Sequence, residues 1–336
     1  MRQRTFWLVA AVAALLVFVS FRLLLNPYWF QPGYKVLQFI VLATAWNILG
    51  GYTGYVNFGT AAFFALGAYA TIALNKIVPL PLPVLMLLGG TVSGVVGFGT
   101  GYLTLRLRGA FFSIATLALA VVAQTLITNW EFVGGSRGAY AIRPAHYPIF
   151  DTYLHTLFLD YVQYLFFIML VLAVIAIGAA RAIERSRLGY GFAAIRDDEQ
   201  AAEAAGVPTL RLKLVATTLS GTLMGMAGAP LPYYLTYLEP ASGFDLAYAV
   251  NSIAAPLIGG LTTWIGPLIG AILLTSIQEA ATVLISSAYG VLIVGLLLMA
   301  FVVIAPNGLV GLAKRLALDE VLAAFWRPLQ TRGSRR

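Results

Sequence analysis

Apolar stretches long enough to cross a lipid bilayer recur along almost the whole of this chain, and they leave it few folds to choose from. A crossing helix needs about 20 mostly apolar residues. Such stretches run near residues 6–25, 35–50, 57–75, 84–105, 110–130, 161–180, 214–232, 249–262, 266–285 and 289–305. With 60% hydrophobic residues, 10% charged and a mean hydropathy of +0.86, the chain carries more apolar surface than a water-soluble core of its length could hide. Lipid is therefore the solvent for most of it, and the expected fold is an all-α polytopic membrane protein. The stretches 35–50 and 249–262 are short and fit tilted, broken or re-entrant helices, so eight to ten spans are expected.

Charge sets the orientation, because Lys and Arg are retained on the cytoplasmic side. With ten spans and the N-terminus inside, the inner segments hold Arg2, Arg4, Arg106, Arg108, Arg181, Arg185, Arg187, Arg196, Arg211, Lys213, Lys314, Arg315, Arg327, Arg332, Arg335 and Arg336, which is 16 of 21 basic residues. The outer side keeps Arg22, Lys35, Lys76, Arg137 and Arg143. Both termini are thus expected in the cytoplasm of a bacterial-type inner membrane. The net charge of +8 follows alternate loops and has no soluble domain to display it, so topology explains it better than a nucleic-acid partner does. Residues 6–21 resemble a signal peptide, but no small-x-small cleavage pattern follows and Arg22-Leu-Leu-Leu extends the stretch, which favours a retained first span. The division expected is a transmembrane domain over 1–313 and a basic cytoplasmic tail over 314–336, with Trp326 at the lipid interface.

The residue types that support chemistry are sparse. There is no cysteine, which removes disulfides, thiol nucleophiles and thiolate metal sites. His146 and His155 lie in the outer loop 131–160 without a second cluster at metal-ligand spacing. No G-x-x-x-x-G-K-[ST] occurs, so no nucleotide is expected to bind this chain in the P-loop manner; ATP, if it drives the protein, is used by partner subunits. Gly97-Phe-Gly-Thr-Gly101 lies inside a span and lacks a lysine. With Gly90-x-x-x-Gly94, Gly221-x-x-x-Gly225 and Gly266-x-x-x-Gly270 it reads as small-residue faces that let helices approach closely.

Against this background Arg181 to Lys213 form a polar island of 33 residues. Ser186 is placed to cap a short helix whose Leu188, Phe192 and Ile195 recur on one face suited to a groove. Asp197 or Asp198 caps a second, with Gln200 three residues after Asp197; the Ala-rich stretch stops at Gly206 with Pro208 beyond. A solvated linker would be charged too. Ala193, Ala194, Ala201, Ala202, Ala204 and Ala205 leave a smooth surface that a linker does not require, which favours docking of a soluble partner.

Two Gly- and Pro-broken stretches stand out within the apolar regions, Gly50 to Tyr69 and Pro256 to Pro267. The first fits either an interrupted backbone lining a path or a tight turn with close packing at Gly59, Ala61, Ala62 and Gly67. The second carries the same two readings. Glu279 is the one acid placed within a span, where a carboxylate is costly enough to be a functional candidate, or else a structural group near a helix end beside Gln278.

Taken together, Gly51-Tyr-Thr-Gly-Tyr-Val-Asn-Phe-Gly59, Ala61 to Tyr69, Arg108 to Ala118, Ser186-Arg-Leu-Gly189, Ala194-Ile-Arg-Asp-Asp-Glu199 and Ala201-Ala-Glu-Ala-Ala-Gly206 resemble the LivM type of branched-chain amino acid ABC transporter permease. Lys213, Ser220, Ala227-Gly-Ala229, Gly259-Gly260, Gly266-Pro267 and Ala305 to Gly311 extend the likeness over roughly 35–313. The resemblance implies a LivH-like second permease, LivG-like and LivF-like ATPase subunits and a periplasmic substrate-binding protein. It also implies that Arg196, Asp197, Asp198, Glu199, Glu203, Ala204, Ala205 and Gly206 belong to the loop that engages an ATPase groove. The expected path is bordered by Gly51, Tyr52, Gly54, Asn57, Phe58, Gly59, Thr60, Phe64, Gly259, Gly260 and Glu279. Two positions depart from the pattern: Thr60 stands where the family usually has His, and Asn57 where Ser is common. Urea and amide importers share this kind of permease and remain an alternative substrate class. An intramembrane enzyme would need an acid–base set, for which only Glu279 with Ser276 and Thr275 is on offer; a stand-alone ion-coupled carrier would need several buried carboxylates.

Overall fold

The computed structural model describes residues 3–24, 26–104, 107, 109–141, 158, 160–284, 292–293, 295–300 and 308–313. About half of the expected span 289–305 falls outside the described residues. So do Arg2, Arg106, Arg108, Arg143, His146, His155 and the tail 314–336.

Helices follow the apolar stretches in order: α1 (Gln3–Leu24), α2 (Phe30–Thr53), α3 (Thr60–Ile77), α4 (Leu82–Thr104), α5 (Ala110–Thr128), α6 (Tyr161–Glu184), α7 (Arg187–Asp197), α8 (Glu199–Ala204), α9 (Thr209–Gly228), α10 (Leu231–Leu235), α11 (Pro240–Gly243), α12 (Leu246–Gly259) and α13 (Ile265–Leu284). Eight helices of the described residues are long and apolar enough to cross a membrane; α9 and α10 together form one of them. The short stretch 35–50 is the middle of α2, whose 24 residues are ample for a crossing. The stretch 249–262 is different. Its helix α12 has 14 residues, about 21 Å at 1.5 Å per residue, and is too short to cross the hydrocarbon alone.

Burial separates the core helix from the peripheral one. Along the apolar window of α2, 89% of residues are buried inside the protein, against 6% for α1. The reason is contact: α2 packs on α6, α9, α12 and α13, whereas α1 leans mainly on α6. Trp7 of α1 sits against Gly178 of α6, where any side chain would strike the indole.

Lipid tails are as apolar as leucine, so helices in a membrane gain from close fit rather than from leaving the solvent. The α3–α4–α9 seam shows that fit. A methyl on Gly67 would overlap the Gly225 carbonyl, and one on Gly228 would overlap the Phe64 carbonyl. Gly94 makes room for Thr222, and Gly97 faces the Thr217 carbonyl. In α12 and α13, Gly259 lies on the Gly266 carbonyl and Gly270 on the Ala255 carbonyl. Glycines of the faces expected for packing do lie in helix contacts, and at Gly67, Gly94, Gly228, Gly259 and Gly270 there is no space for a side chain.

The connections sort onto two faces. On one, the segment 54–59, the island and the turn 260–264 meet: Glu184 Oε2 accepts the Trp264 backbone N–H at 2.7 Å, and the Phe6 and Trp264 rings lie edge to face at 5.5 Å. On the other, β1 (Ala139–Tyr140) pairs antiparallel with β2 (Tyr237–Leu238), and Lys76 Nζ donates to the Phe132 carbonyl at 2.8 Å. This grouping matches the alternation of loops expected from the basic residues.

Candidate functional site

The island folds into two capped helices, as its sequence suggests. Ser186 Oγ accepts from the backbone N–H groups of Leu188 and Gly189 at 3.2 and 3.4 Å, starting α7. Asp198 is the residue that caps α8, its Oδ1 accepting from Gln200 and Ala201 at 2.9 and 3.0 Å. Asp197 Oδ1 instead accepts from Arg196, 3.2 Å from Nη2. Gly206 takes the left-handed conformation that ends the helix, with φ of 84°. Glu203 Oε1 accepts from Thr209 Oγ1 at 2.7 Å, tying α8 to the first turn of α9.

The apolar face of α7, expected to suit a partner's groove, is turned inward instead: Phe192 and Ile195 are buried in this chain, where α7 packs on α2, α6 and α9, and only Leu188 is exposed. An apolar face beside a buried bundle is satisfied first by its own bundle. What points outward is a polar and alanine-rich surface made of Arg196, Asp197, Asp198, Gln200, Ala201, Glu203, Ala204, Ala205 and Gly206. Glu199, in the midst of these, turns inward.

Beneath this surface the first broken stretch has an ordered path. At Gly54, with φ of 78°, the chain leaves α2, and the space beside its α-carbon is taken by Arg196, whose Cγ would be 3.3 Å from a β-carbon there. The next residues run back along α2, so that the Trp46 indole donates to the Asn57 carbonyl at 2.7 Å. Peptide groups off the helical ladder must be satisfied by protein at such a site. Ser113 Oγ donates to the Val56 carbonyl at 2.9 Å, Thr116 Oγ1 accepts from Phe58 N–H at 3.0 Å, and Asn57 Oδ1 accepts from Gly59 N–H at 2.7 Å. The backbone is thus interrupted here and its glycines serve close packing.

Of the other residues expected near a path, Tyr52 donates to the Ala180 carbonyl at 3.4 Å, and Gly51 lies against the Leu261 carbonyl, so the two broken stretches touch. Thr60 and Phe64 are fully buried, and the Phe64 ring lies 4.4 Å from that of Tyr248. Gly259 and Gly260 pack against Gly266 and Gly308. Both oxygens of Glu279 accept from Lys35 Nζ, at 2.9 and 3.1 Å.

Three residues join the island to the break. Glu199 Oε2 accepts from the Tyr55 hydroxyl at 2.5 Å, its Oε1 lies 2.7 Å from Lys213 Nζ, and Lys213 Nζ is 3.1 Å from the Tyr55 oxygen. The lysine also lies over the Tyr55 ring at 4.8 Å. The Lys213 side chain is 4% exposed and that of Glu199 13%. Sequence reading counts Tyr55 and Lys213 among the residues that carry the family likeness, and Lys213 as an orientation charge, but assigns neither a role at the site. The available signal was a lysine at the very edge of an apolar span, a position that demands a partner. A cavity of about 460 Å³ opens beside this cluster, lined by Gly54, Tyr55, Val56, Ala110, Ser113 and Arg196 among others.

An all-α polytopic bundle with interrupted helices at its centre and a polar arm on one face belongs to the class of membrane transport proteins. Comparison with known proteins narrows this. Residues 34–302 match the family described as branched-chain amino acid transport system, permease component, and the chain belongs to that family. It is 28% identical to the high-affinity branched-chain amino acid transport system permease protein LivM of Salmonella typhimurium over 82% of this chain and 68% of that protein. LivM of Escherichia coli is 27% identical over 90% of this chain and 75% of its own length. A probable LivH permease of Methanocaldococcus jannaschii is 26% identical over 77% of this chain and 84% of that protein. No solved structure matches the chain.

Proposed function

We propose that this chain is a LivM-like permease subunit of an ABC importer that moves branched-chain or other hydrophobic amino acids inward. Its partners in this reading are a LivH-like second permease, LivG-like and LivF-like ATPases and a periplasmic binding protein. The family match supports the transport role. The observation that carries the division of labour is the island: two separately capped helices hold an exposed surface of small and charged residues beyond the bundle. Such a surface suits a water-soluble partner, and ATP is bound and hydrolysed by that partner rather than by this chain. In this reading the island face is the cytoplasmic one of a bacterial inner membrane, which the excess of Lys and Arg on that side supports.

Purification of the tagged chain from its native host in mild detergent tests this. Two ATPases and a second permease are expected to co-purify, and the reconstituted complex is expected to take up labelled leucine only with ATP and the binding protein. Recovery of a lone or self-associated chain that takes up substrate on an ion gradient would refute the proposal. Tryptophan at Ala204 or Ala205 is expected to abolish ATPase recovery while the permease still reaches the membrane.

A further inference from the structure

The Tyr55, Glu199 and Lys213 cluster joins three elements through side chains: the α2–α3 break, the island helix α8 and the membrane helix α9. Its members are 144 and 158 residues from Tyr55 in sequence, so it is a tertiary device. It is also costly to build. A lysine 4% exposed and a carboxylate 13% exposed have lost most of their water, and mutual pairing plus the phenol replaces it. A pair of apolar residues would fill the same space without that cost. What an apolar pair would not do is fix direction, because hydrogen bonds to charged groups hold both distance and angle while apolar surfaces slide.

We propose that this cluster is a latch through which movement of the ATPase-docked island reaches the interrupted backbone at Gly54–Gly59. The proposal rests on the reading of the island as the ATPase docking surface. Glu199 is the first residue of α8 and faces away from that surface, so a partner that shifts α8 displaces the Glu199 carboxylate directly. The displacement has two outlets. Through Lys213 it reaches the first turns of α9, which carries the glycine seam. Through Tyr55 it reaches a stretch whose peptide groups are held by single hydrogen bonds to Trp46, Ser113 and Thr116 rather than by a helical ladder. That stretch lacks the repeating ladder that stiffens a helix, so it is where an applied displacement is accommodated. Tyr55 and Lys213 are positioning residues: they touch the island and the break, and no role in contacting the transported molecule is assigned to them.

The test uses the complete reconstituted complex with Tyr55→Phe and with the double variant Glu199→Gln/Lys213→Met. The double variant removes both charges together and leaves neither buried alone. The readout is amino acid imported per ATP hydrolysed, a ratio that mere loss of folded protein leaves unchanged. Both variants are expected to retain the ATPases, and the ratio is expected to fall about tenfold, the effect of losing one charge-assisted hydrogen bond from a coupled network. The charge-swapped pair Glu199→Lys/Lys213→Glu is expected to regain part of the ratio. A ratio equal to wild type in Tyr55→Phe and in the double variant would overturn the latch alone. So would equal loss of import and ATP hydrolysis, or loss of ATPase recovery in both variants, since the cluster would then only shape the island. Failure of the docking reading shows separately, as undiminished ATPase recovery with tryptophan at Ala204 or Ala205.

Discussion

Replacing Trp46 by phenylalanine isolates what holds the interrupted backbone in place. The indole N–H donates to the Asn57 carbonyl at 2.7 Å, and both residues are buried, at 2% and 1% exposure. Phenylalanine leaves that carbonyl without its donor, a loss of about 1–2 kcal/mol for a polar group inside a membrane bundle. The benzene half of the indole also covers Gly50: its Cη2 and Cζ2 would stand 2.5 and 2.6 Å from a β-carbon on that glycine. Removing it opens a void worth a further ~1–2 kcal/mol. The total expected is about 2–4 kcal/mol, measured as the shift in reversible detergent-induced unfolding of the purified chain in bicelles. The same geometry makes a sharper prediction through a second substitution. Gly50→Ala alone drives a methyl into the indole and costs about 1–3 kcal/mol. In the Trp46→Phe background the methyl enters the vacated space, so the two losses should fall short of their sum by at least ~1 kcal/mol. Additive losses, or a Trp46→Phe variant within about 0.5 kcal/mol of wild type, would refute this account of the break.

Two other expectations concern the ends of the molecule that face water. Asp198→Ala removes the side-chain cap of a six-residue helix, and about 1 kcal/mol of local stability with it; amide exchange over 199–204 should accelerate while exchange in α2 stays as it was. The Lys35–Glu279 pair is partly solvated, at 38% and 20% side-chain exposure, and joint replacement as Lys35→Met/Glu279→Gln should change unfolding by less than about 1 kcal/mol. A larger loss would show that the pair is a structural brace of the α2–α13 contact.

Much of the architecture is legible in residue order because the membrane imposes it. Span lengths, the glycine faces and the caps at Ser186 and Gly206 are local properties, and local chemistry dictates them. The site was legible only on its outside. Arg196 to Gly206 could be recognised as a water-facing surface, since its charges and alanines have no place in lipid. That Glu199 leaves that surface for Tyr55 and Lys213 could not, because helical periodicity over six residues cannot say which of several acids faces the bundle. The same holds for α7, whose Phe192 and Ile195 are apolar whether they meet a partner or the chain's own helices. Glu279 shows the complementary difficulty: residue order gives no sign that Lys35, 244 residues away, stands beside its carboxylate.

The glycine seam finally decides how a displacement entering at Lys213 can spread. Where helices meet through long side chains, rotamers absorb small shifts; where backbone meets backbone there is nothing to absorb them. Gly228 lies on the Phe64 carbonyl and Gly67 on the Gly225 carbonyl, so α3 and α9 are expected to move as one body. A methyl at Gly228 must push the two backbones apart, and the loss is felt along the whole contact, an overpacking cost of about 1–3 kcal/mol. Gly99, in α4, provides the control: it is exposed, and nothing lies within 4 Å of a β-carbon placed there. Gly99→Ala is therefore expected to leave both stability and transport unchanged, whereas Gly228→Ala lowers unfolding stability and import together. If Gly228→Ala behaves like Gly99→Ala, the two helices are not locked at that point, and the movement carried by α9 would have to reach α3 through the break at Tyr55 alone.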